Sequence, residues 1–168
     1  MKKDLASLFR QLTHGVYVVG VTHQKKDNAF TAAWVMQVSF QPLLLALSVH
    51  PGHSSYAMLT QGGVFSVNVL PGNRKDLAQR FGQPATVNKL ADIKWRRGKT
   101  GAPILDDAMA YFDCEFSHAC PAGDHMLVIG RVVDGAILGA DALPMSYRDT
   151  GDMDGSSRLY PDDFFLSK

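Results

Sequence analysis

The chain has 168 residues, of which 46% are apolar and 20% are charged, and its formal net charge is +1. That length fits a single domain with a sizeable core over residues 1–168, and the composition excludes a disordered chain. The near-neutral charge, with one short basic run at residues 94–99 (KWRRGK), gives no electrostatic footprint for nucleic acid.

The N-terminus, MKKDLASLFRQ, has no apolar core of signal-peptide length, because Asp4 and Arg10 interrupt it. The longest apolar run in the chain is too short to span a bilayer. The two cysteines, Cys114 and Cys120, do not make the disulfide framework of a small secreted domain. We therefore expect a soluble, cytoplasmic protein that does not enter a membrane.

The first third of the chain predicts one helix and three strands. Apolar residues at helical spacing over residues 3–13 predict a helix whose apolar side packs against the rest of the fold. β-Branched and aromatic residues predict a strand over 16–21. Two more strands are expected over 29–38 and 43–50, and the second of these should be fully buried because it is almost entirely apolar.

The middle of the chain predicts a helix, a strand and a second helix. Residues 51–63 (PGHSSYAMLTQGG) predict a short helix that a pair of glycines ends. The run VFSVNVL at 64–70 predicts a strand, and a helix is expected over 73–82 (NRKDLAQRFG). Residues 83–103 predict an irregular, loop-rich stretch.

The last third of the chain is dominated by two strands. Alternation over 109–118 predicts a strand with Cys114 and Cys120 on the same face, and a turn at 121–125 leads to a strand over 126–133. Strands and helices do not alternate regularly, and no GxGxxG follows a strand. The sequence therefore favours an antiparallel barrel over a doubly wound parallel sheet.

Small side chains at Thr31, Ala32 and Ala33 stand beside a large ring at Trp34. Such a wall lets a flat ligand approach the backbone closely. A planar heterocycle with acceptors and a donor on its edge would be matched there by backbone N–H and C=O groups. Tight packing within the fold is the alternative interpretation of the same residues.

A candidate anion site lies at the start of the second helix. Its free N–H groups and its dipole favour a phosphate, and Ser54 and Ser55 add hydroxyl donors. His53 is a further candidate, and Arg74 or Arg80 is a source of positive charge. An ordinary helix cap at His53 or Ser54 is the alternative.

Two other patterns are weighed on chemical grounds. Asn68 lies within a strand, where a buried amide is costly unless it is hydrogen-bonded, either to a ligand or to a neighbouring loop. The spacing of Cys114, His118, Cys120 and His125 fits no common structural zinc motif. Buried cysteine acting as a small apolar residue is the better interpretation, and no metal is expected.

Several segments, taken in order, resemble the flavin reductase-like, FMN-binding split-barrel proteins. These are TAAWVMQVSFQPLLLAL from residue 31, the F-x-V-N-x-L pattern at 65–70, GDH at 123–125 with the following strand, and PMSYR at 144–148. The resemblance covers nearly the whole chain. It implies a mainly β fold with short helices, an antiparallel Greek-key split β-barrel of the FMN-binding type.

The resemblance also implies a function and a site. It implies hydride transfer from NADH or NADPH to FMN, with FAD as the other candidate flavin, and delivery of the reduced flavin to a partner monooxygenase or another acceptor. His125 would be the catalytic residue, at the mouth of the flavin site. The implied cofactor-binding residues are Thr31, Ala32, Ala33, Trp34, Gln37, Val38, Ser39, His53, Ser54, Ser55, Tyr56, Asn68 and Arg74.

The resemblance implies a homodimer with the flavin at the subunit interface. The sequence has more apolar residues than one face of a barrel needs, which agrees with a dimer. These residues are Trp34, Val35, Met36 and Phe40, with Phe164 and Phe165 in the tail. Two alternatives remain open. One is an FMN-holding electron-transfer protein without its own NAD(P)H site, and the other is a flavin-free interaction module on the same barrel.

Overall fold

The computed structural model describes residues 4–139 and 141–164. Its helices are α1 (Leu5–Phe9), α2 (Ser54–Gly62) and α3 (Lys75–Phe81), with short 3-10 turns at Tyr147–Thr150 and Ser156–Leu159. Its strands are β1 (Tyr17–His23), β2 (Lys26–Ala32), β3 (Val35–Ser39), β4 (Leu44–Val49), β5 (Val64–Val69), β6 (Trp95–Arg97), β7 (Pro103–Leu105), β8 (Ala110–Ala122) and β9 (His125–Ile137).

Seven strands form one antiparallel sheet in the order β2-β1-β5-β8-β9-β4-β3. The two edges of this sheet are β2 and β3, which follow one another in the chain. Ala33 and Trp34 carry the backbone from one edge to the other without belonging to either strand. The barrel is therefore split where the small-residue segment lies, which confirms the predicted mainly β, antiparallel split barrel.

Strand β1 lies at the centre of the packing and is buried on both faces. Val19 and Val21 point into the barrel, in a cluster that includes Phe65 from β5. Val18 points the other way, into a second cluster that includes Leu77 of α3. A run of β-branched residues suits this position, because their stiff side chains pack well on both sides of a pleated strand. Through the second cluster, α3 packs against the sheet near the split.

Two predicted elements differ from the structure. The single strand expected over 29–38 is two strands, because the chain must cross from β2 to β3 at residues 33–34. Residues 83–103 are not entirely irregular, since β6 and β7 pair as a small antiparallel hairpin. Periodicity could not show the first difference, because the local sequence stays apolar through the crossing.

The first helix is shorter than its pattern predicted and packs less. It spans Leu5–Phe9, and of its residues Leu5 is buried. The other apolar residues of the pattern are exposed to solvent, namely Leu8, Phe9 and Leu12. The expectation that this apolar side packs against the barrel was wrong for those three residues. The ring of Phe9 instead stacks on Tyr160 of the tail, with centroids 5.5 Å apart.

The expected alternation along β8 is wrong beyond Phe116. The register shifts between Asp113 and Cys114, where Val133 is an extra residue in β9, and again between Phe116 and His118, where Ser117 is an extra residue in β8. The bulge at Ser117 reverses which face the following β8 side chains occupy. As a result Cys114 is buried and Cys120 is exposed, so the two cysteines do not share a face. Within the described residues no three His, Cys, Asp or Glu side chains are grouped as metal ligands.

A search for membrane spans among the described helices found none of sufficient length and apolar character to cross a bilayer. Phe165, which contributed to the dimer prediction, lies outside the described residues.

Candidate functional site

A cleft of about 510 Å³ lies beside the split between β2 and β3. This volume falls within the range of about 300–1,000 Å³ that small-molecule sites occupy. One wall consists of Thr31, Ala32 and Ala33 at the end of β2, and α3 forms the opposite wall through Ala78 and other residues. His53 stands at one end of the cleft. The structure thus brings together four of the residues predicted to bind a cofactor.

The small-residue wall offers backbone groups to a ligand. Ala33 is outside the strand ladders, and no backbone hydrogen bond to it is found in the described part of the chain. Thr31 is fixed differently, since its Oγ1 donates to the carbonyl of Ala78 at 2.7 Å and ties β2 to α3. A flat ring lying on Ala32 and Ala33 therefore meets two small side chains and can hydrogen-bond to the backbone groups that Ala33 leaves unpaired.

At the other end, α2 begins with its N-terminus toward the cleft. His53 is the N-cap, and its Nδ1 accepts a hydrogen bond from the backbone N–H of Ser55 at 3.3 Å. Ser55 is fully buried, and its Oγ accepts from Asn28 Nδ2 at 3.3 Å, so this hydroxyl holds the fold together. Ser54 is exposed. Of the three predicted phosphate residues, His53 and Ser54 face outward.

Lys89 is the site residue that sequence reasoning missed. Its side chain is only 1% exposed, and its Nζ donates to the carbonyl of Phe81 at 3.2 Å. It lines a second cavity of about 480 Å³ that it shares with Ser54, while Phe81 lines the first cleft. Lys89 therefore places a cation between the two cavities, next to the start of α2.

The electrostatics at this end of the cleft favour an anion. Burial lowers the pKa of the Lys89 ammonium. Burial also lowers the pKa of His53, and the positive charges of Lys89 and His50 lower it further. Both groups are therefore disfavoured as cations, Lys89 by burial and His53 by burial and its two cationic neighbours. A bound phosphate would supply a compensating negative charge and shift both pKa values back toward their usual range.

Arg80 holds Lys89 in place. It was an alternative candidate for phosphate binding, but its guanidinium donates to the carbonyls of Lys89, at 2.7 Å, and Ala91. It therefore fixes the loop that carries the lysine. No periodic pattern marks residues 83–103, which explains why the lysine was not singled out.

The third wall of the cleft comes from the C-terminal segment. Tyr147, Thr150, Met153 and Asp154 all line it. The Tyr147 hydroxyl donates to Asp154 Oδ2 at 2.8 Å, and burial raises the pKa of this phenol. The segment is anchored to the N-terminal region, where Arg148 donates to Gln11 Oε1 at 3.0 Å. This wall was also missed, because nothing in its sequence indicates where the tail folds back.

His125 lies in a cluster of rings beside the small-residue wall. Its ring centroid is 5.1 Å from that of Trp34, which directly follows Ala33, and 5.5 Å from that of His50 in an edge-to-face arrangement. Its Nδ1 lies 2.8 Å from Asp124 Oδ1. This hydrogen bond lowers the pKa of the Asp124 carboxyl. Trp34 therefore links the predicted catalytic histidine to the cleft.

The family model of the flavin reductase like domain matches residues 9–155. The chain belongs to the flavin reductase-like family. It is 35% identical over 124 residues to a probable flavin reductase of Rhizobium meliloti, a match that covers 70% of this chain and 40% of that protein. The chain thus spans less than half the length of that relative.

Two further relatives of this flavin reductase-like chain inform the site. The reductase subunit HsaB of a flavin-dependent monooxygenase from Mycobacterium tuberculosis is 31% identical, over 77% of this chain and 69% of the subunit. The NADH:FAD oxidoreductase of Streptomyces globisporus, solved in complex with NAD and FAD fragments, superposes with a TM-score of 0.78. It is 26% identical, over 84% of this chain and 85% of that one.

Asn68 lies inside the flavin reductase-like fold and away from the cleft. It is fully buried, and its Nδ2 donates to the carbonyl of Val18 at 3.0 Å. Its Oδ1 accepts from the backbone N–H of Leu105 at 2.8 Å. These bonds attach the β6–β7 hairpin to the sheet, which is the loop contact that the sequence left open as the alternative.

The other predicted cofactor residues do not line the cleft in the single chain. Gln37, Val38 and Ser39 lie on the edge strand β3, where Gln37 Nε2 donates to the carbonyl of Ser39 at 3.3 Å. Tyr56 packs against the barrel cluster. Arg74 is paired with Asp76 and Asp107 at 2.9 and 2.8 Å, and these carboxylates raise its pKa.

Proposed function

We propose that the protein binds FMN in the cleft and reduces it with NADH or NADPH. The observation that carries this proposal is the pairing of a backbone-lined, small-residue wall with a buried cation, Lys89, which acts on His53 at the end of the cleft. The wall suits a flat, uncharged ring, and the cation suits a phosphate. A flavin mononucleotide carries both groups on one molecule.

The ring end of the proposed site uses Ala32 and Ala33. Their side chains leave the cleft open, and the unpaired backbone of Ala33 matches the donor and acceptors on the edge of a flavin ring. The tail closes the cleft from the other side, with Met153 as its apolar contact and Tyr147 as its polar one. The ring is thereby held between a rigid strand end and the folded-back tail.

The phosphate end uses His53, Ser54 and Lys89. The α2 N-terminus supplies N–H groups and a favourable dipole, and Lys89 supplies charge. FAD is the other candidate flavin, because the Streptomyces oxidoreductase was solved with FAD fragments. The second cavity begins at Ser54 and leaves room beyond the phosphate.

A flavin bound in the cleft would supply the redox chemistry, as the acceptor of a hydride (two electrons and one proton) from the reduced nicotinamide. The protein positions the two rings and excludes water. His125, held beside Trp34, is the residue that we propose for contact with the nicotinamide. Its ring is partly exposed, so a ligand can reach it.

We also propose a homodimer. The edge strand β3 and the turn after it expose a row of apolar side chains, among them Met36 at 64% and Phe40 at 86% exposure. Exposed apolar edges of this kind promote association unless another surface covers them. A second copy that covers β3 would also bring Gln37, Val38 and Ser39 toward a shared flavin site.

A partner monooxygenase is proposed as the acceptor of the reduced flavin, because the HsaB relative is the reductase subunit of such an enzyme. An FMN-holding electron carrier without a nicotinamide site is the alternative.

The visible spectrum of the purified protein tests the proposal. We expect the protein to take up FMN near one per chain, and NADH or NADPH to bleach it under anaerobic conditions. Bound flavin that neither nucleotide bleaches would favour the electron carrier. A protein that takes up no FMN or FAD would favour the flavin-free interaction module.

A further inference from the structure

Three rings meet where the small-residue wall ends, and they restrict one another. His125 lies between Trp34, at 5.1 Å and 58°, and His50, at 5.5 Å and 90°. His50 comes directly after β4 and lies beside the first residue of β9, because Val49 pairs with Met126. The His125 ring is therefore packed against a ring on each of two sides.

Asp124 determines which nitrogen of His125 carries the proton. An ionised carboxylate accepts hydrogen bonds and does not donate them. At 2.8 Å from Asp124 Oδ1, the Nδ1 of His125 must be the donor, so Nδ1 is protonated. Its Nε2 has no hydrogen-bond partner in the described part of the chain. In the neutral ring this Nε2 is a free acceptor.

His50 is itself fixed, by the turn that leads to α2. Its Nδ1 accepts from the backbone N–H of Gly52 at 3.0 Å, and its carbonyl accepts from the backbone N–H of His53 at 3.0 Å. The turn that presents His53 to the flavin phosphate therefore also holds His50 against His125. This arrangement connects the two ends of the proposed site.

We propose that Asp124 and His50 are positioning residues that hold His125 with its Nε2 as an acceptor for the carboxamide N–H of a nicotinamide donor. This inference rests on the proposed function. It specifies which group of the nicotinamide donor is recognised, the carboxamide. It also adds two residues, Asp124 and His50, that act through His125. It implies preference for donors that carry a carboxamide over donors that have no N–H at that position.

Histidine tautomers, measured by 15N NMR on the flavin-free protein, test the first step. At pH 8.5, well above the ordinary histidine pKa of about 6.5, we expect His125 to show the Nδ1–H tautomer. Asp124→Ala should abolish that preference. His118→Ala, on the same hairpin but outside the ring cluster, is the matched control and should leave it unchanged. An Nε2–H tautomer in the unmodified protein would overturn the proposal.

Stopped-flow flavin reduction tests the second step with two donors. NADH carries the carboxamide, and reduced 3-acetylpyridine adenine dinucleotide carries a methyl group in place of its NH2. His125→Ala should raise the apparent dissociation constant of NADH about tenfold, as expected for one lost hydrogen bond of about 1.4 kcal/mol. The same variant should change the apparent dissociation constant of the analogue by no more than about twofold, because the analogue has no N–H to donate at that position.

The positioning residues should follow the same pattern. Asp124→Ala and His50→Ala should weaken NADH binding and leave binding of the analogue unchanged. His50→Phe keeps a ring against His125 but loses the hydrogen bond from Gly52, so it should recover only part of the NADH affinity that His50→Ala loses. Equal effects on both donors would overturn the carboxamide contact. Absence of reduction by either donor in the unmodified protein would instead overturn the proposed function and the donor contact, and the NMR result would stand separately.

Discussion

Lys89→Met should separate binding of the flavin phosphate from binding of the flavin ring. Methionine is close to lysine in length and is apolar, so it fills the same buried space without the charge. The ring wall at Ala32 and Ala33 is untouched by this change. We therefore expect weaker FMN binding and unchanged riboflavin binding, since riboflavin has the same ring without the phosphate.

The magnitude follows from the contacts of Lys89. Within the described residues its ammonium has one hydrogen bond, to the Phe81 carbonyl, which leaves N–H donors for a phosphate oxygen. A hydrogen bond to a charged group contributes about 1.5–3 kcal/mol. Since 1.4 kcal/mol corresponds to a factor of ten, the dissociation constant of FMN should rise by about 10- to 150-fold.

The same change should not destabilise the fold. The Phe81 carbonyl loses a partner, at a cost of about 1–3 kcal/mol. Against this, the variant no longer buries an ammonium, which costs several kcal/mol when the group is charged. We expect the free energy of unfolding of the flavin-free protein to stay level or rise, as measured by urea denaturation.

Fluorescence titration of both flavins provides the assay. Lys94→Met, which removes an exposed lysine from the same loop region, is the matched control and should leave both affinities unchanged. If Lys89→Met weakens the binding of FMN and of riboflavin equally, the lysine supports the wall of the cleft and does not contact the phosphate. If neither affinity changes, the phosphate lies elsewhere.

Three further predictions follow from the described contacts. Ala33→Phe should weaken FMN and riboflavin alike by at least about tenfold, because the new ring fills the cleft; unaltered affinity in the same titration would place the flavin elsewhere. Phe40→Asp should shift the protein from dimer to monomer in sedimentation, and a stable, FMN-loaded monomer of the unmodified protein would contradict the proposed interface. Burial, with the Asp113 charge, raises the pKa of Cys114 to about 12, so at pH 8 a thiol reagent should label one cysteine per folded chain, Cys120, and two after unfolding.

The sequence predicted the fold well where side-chain patterns are local. The β-branched run of β1 and the capped helix α2 both follow directly from residue types. The prediction failed where tertiary structure overrides pattern. The crossing at residues 33–34 interrupts an apolar run without a turn residue, and the bulge at Ser117 in β8 reverses an alternation that looks regular. Neither feature changes the local composition, so neither leaves a sequence signal.

In the candidate site, too, local features could be predicted from the sequence and long-range ones could not. Its small-residue wall and helix start could be predicted, because backbone access and free N–H groups depend on residue size and helix position. Lys89 could not, because its importance comes from burial among groups distant in the chain. The tail wall depends on contacts such as Arg148 with Gln11, which join residues 137 positions apart. No spacing rule connects residues at that separation.

The split in the barrel explains why the functional features lie together. In a closed barrel, the edge strands β2 and β3 would pair with one another. Because the chain instead crosses between the two edges, Ala33 keeps free backbone groups, Trp34 turns toward His125, and β3 remains an exposed edge. The ring wall, the proposed donor contact and the proposed dimer surface are thus three consequences of one topological break. A single segment of the chain carries most of the site for that reason.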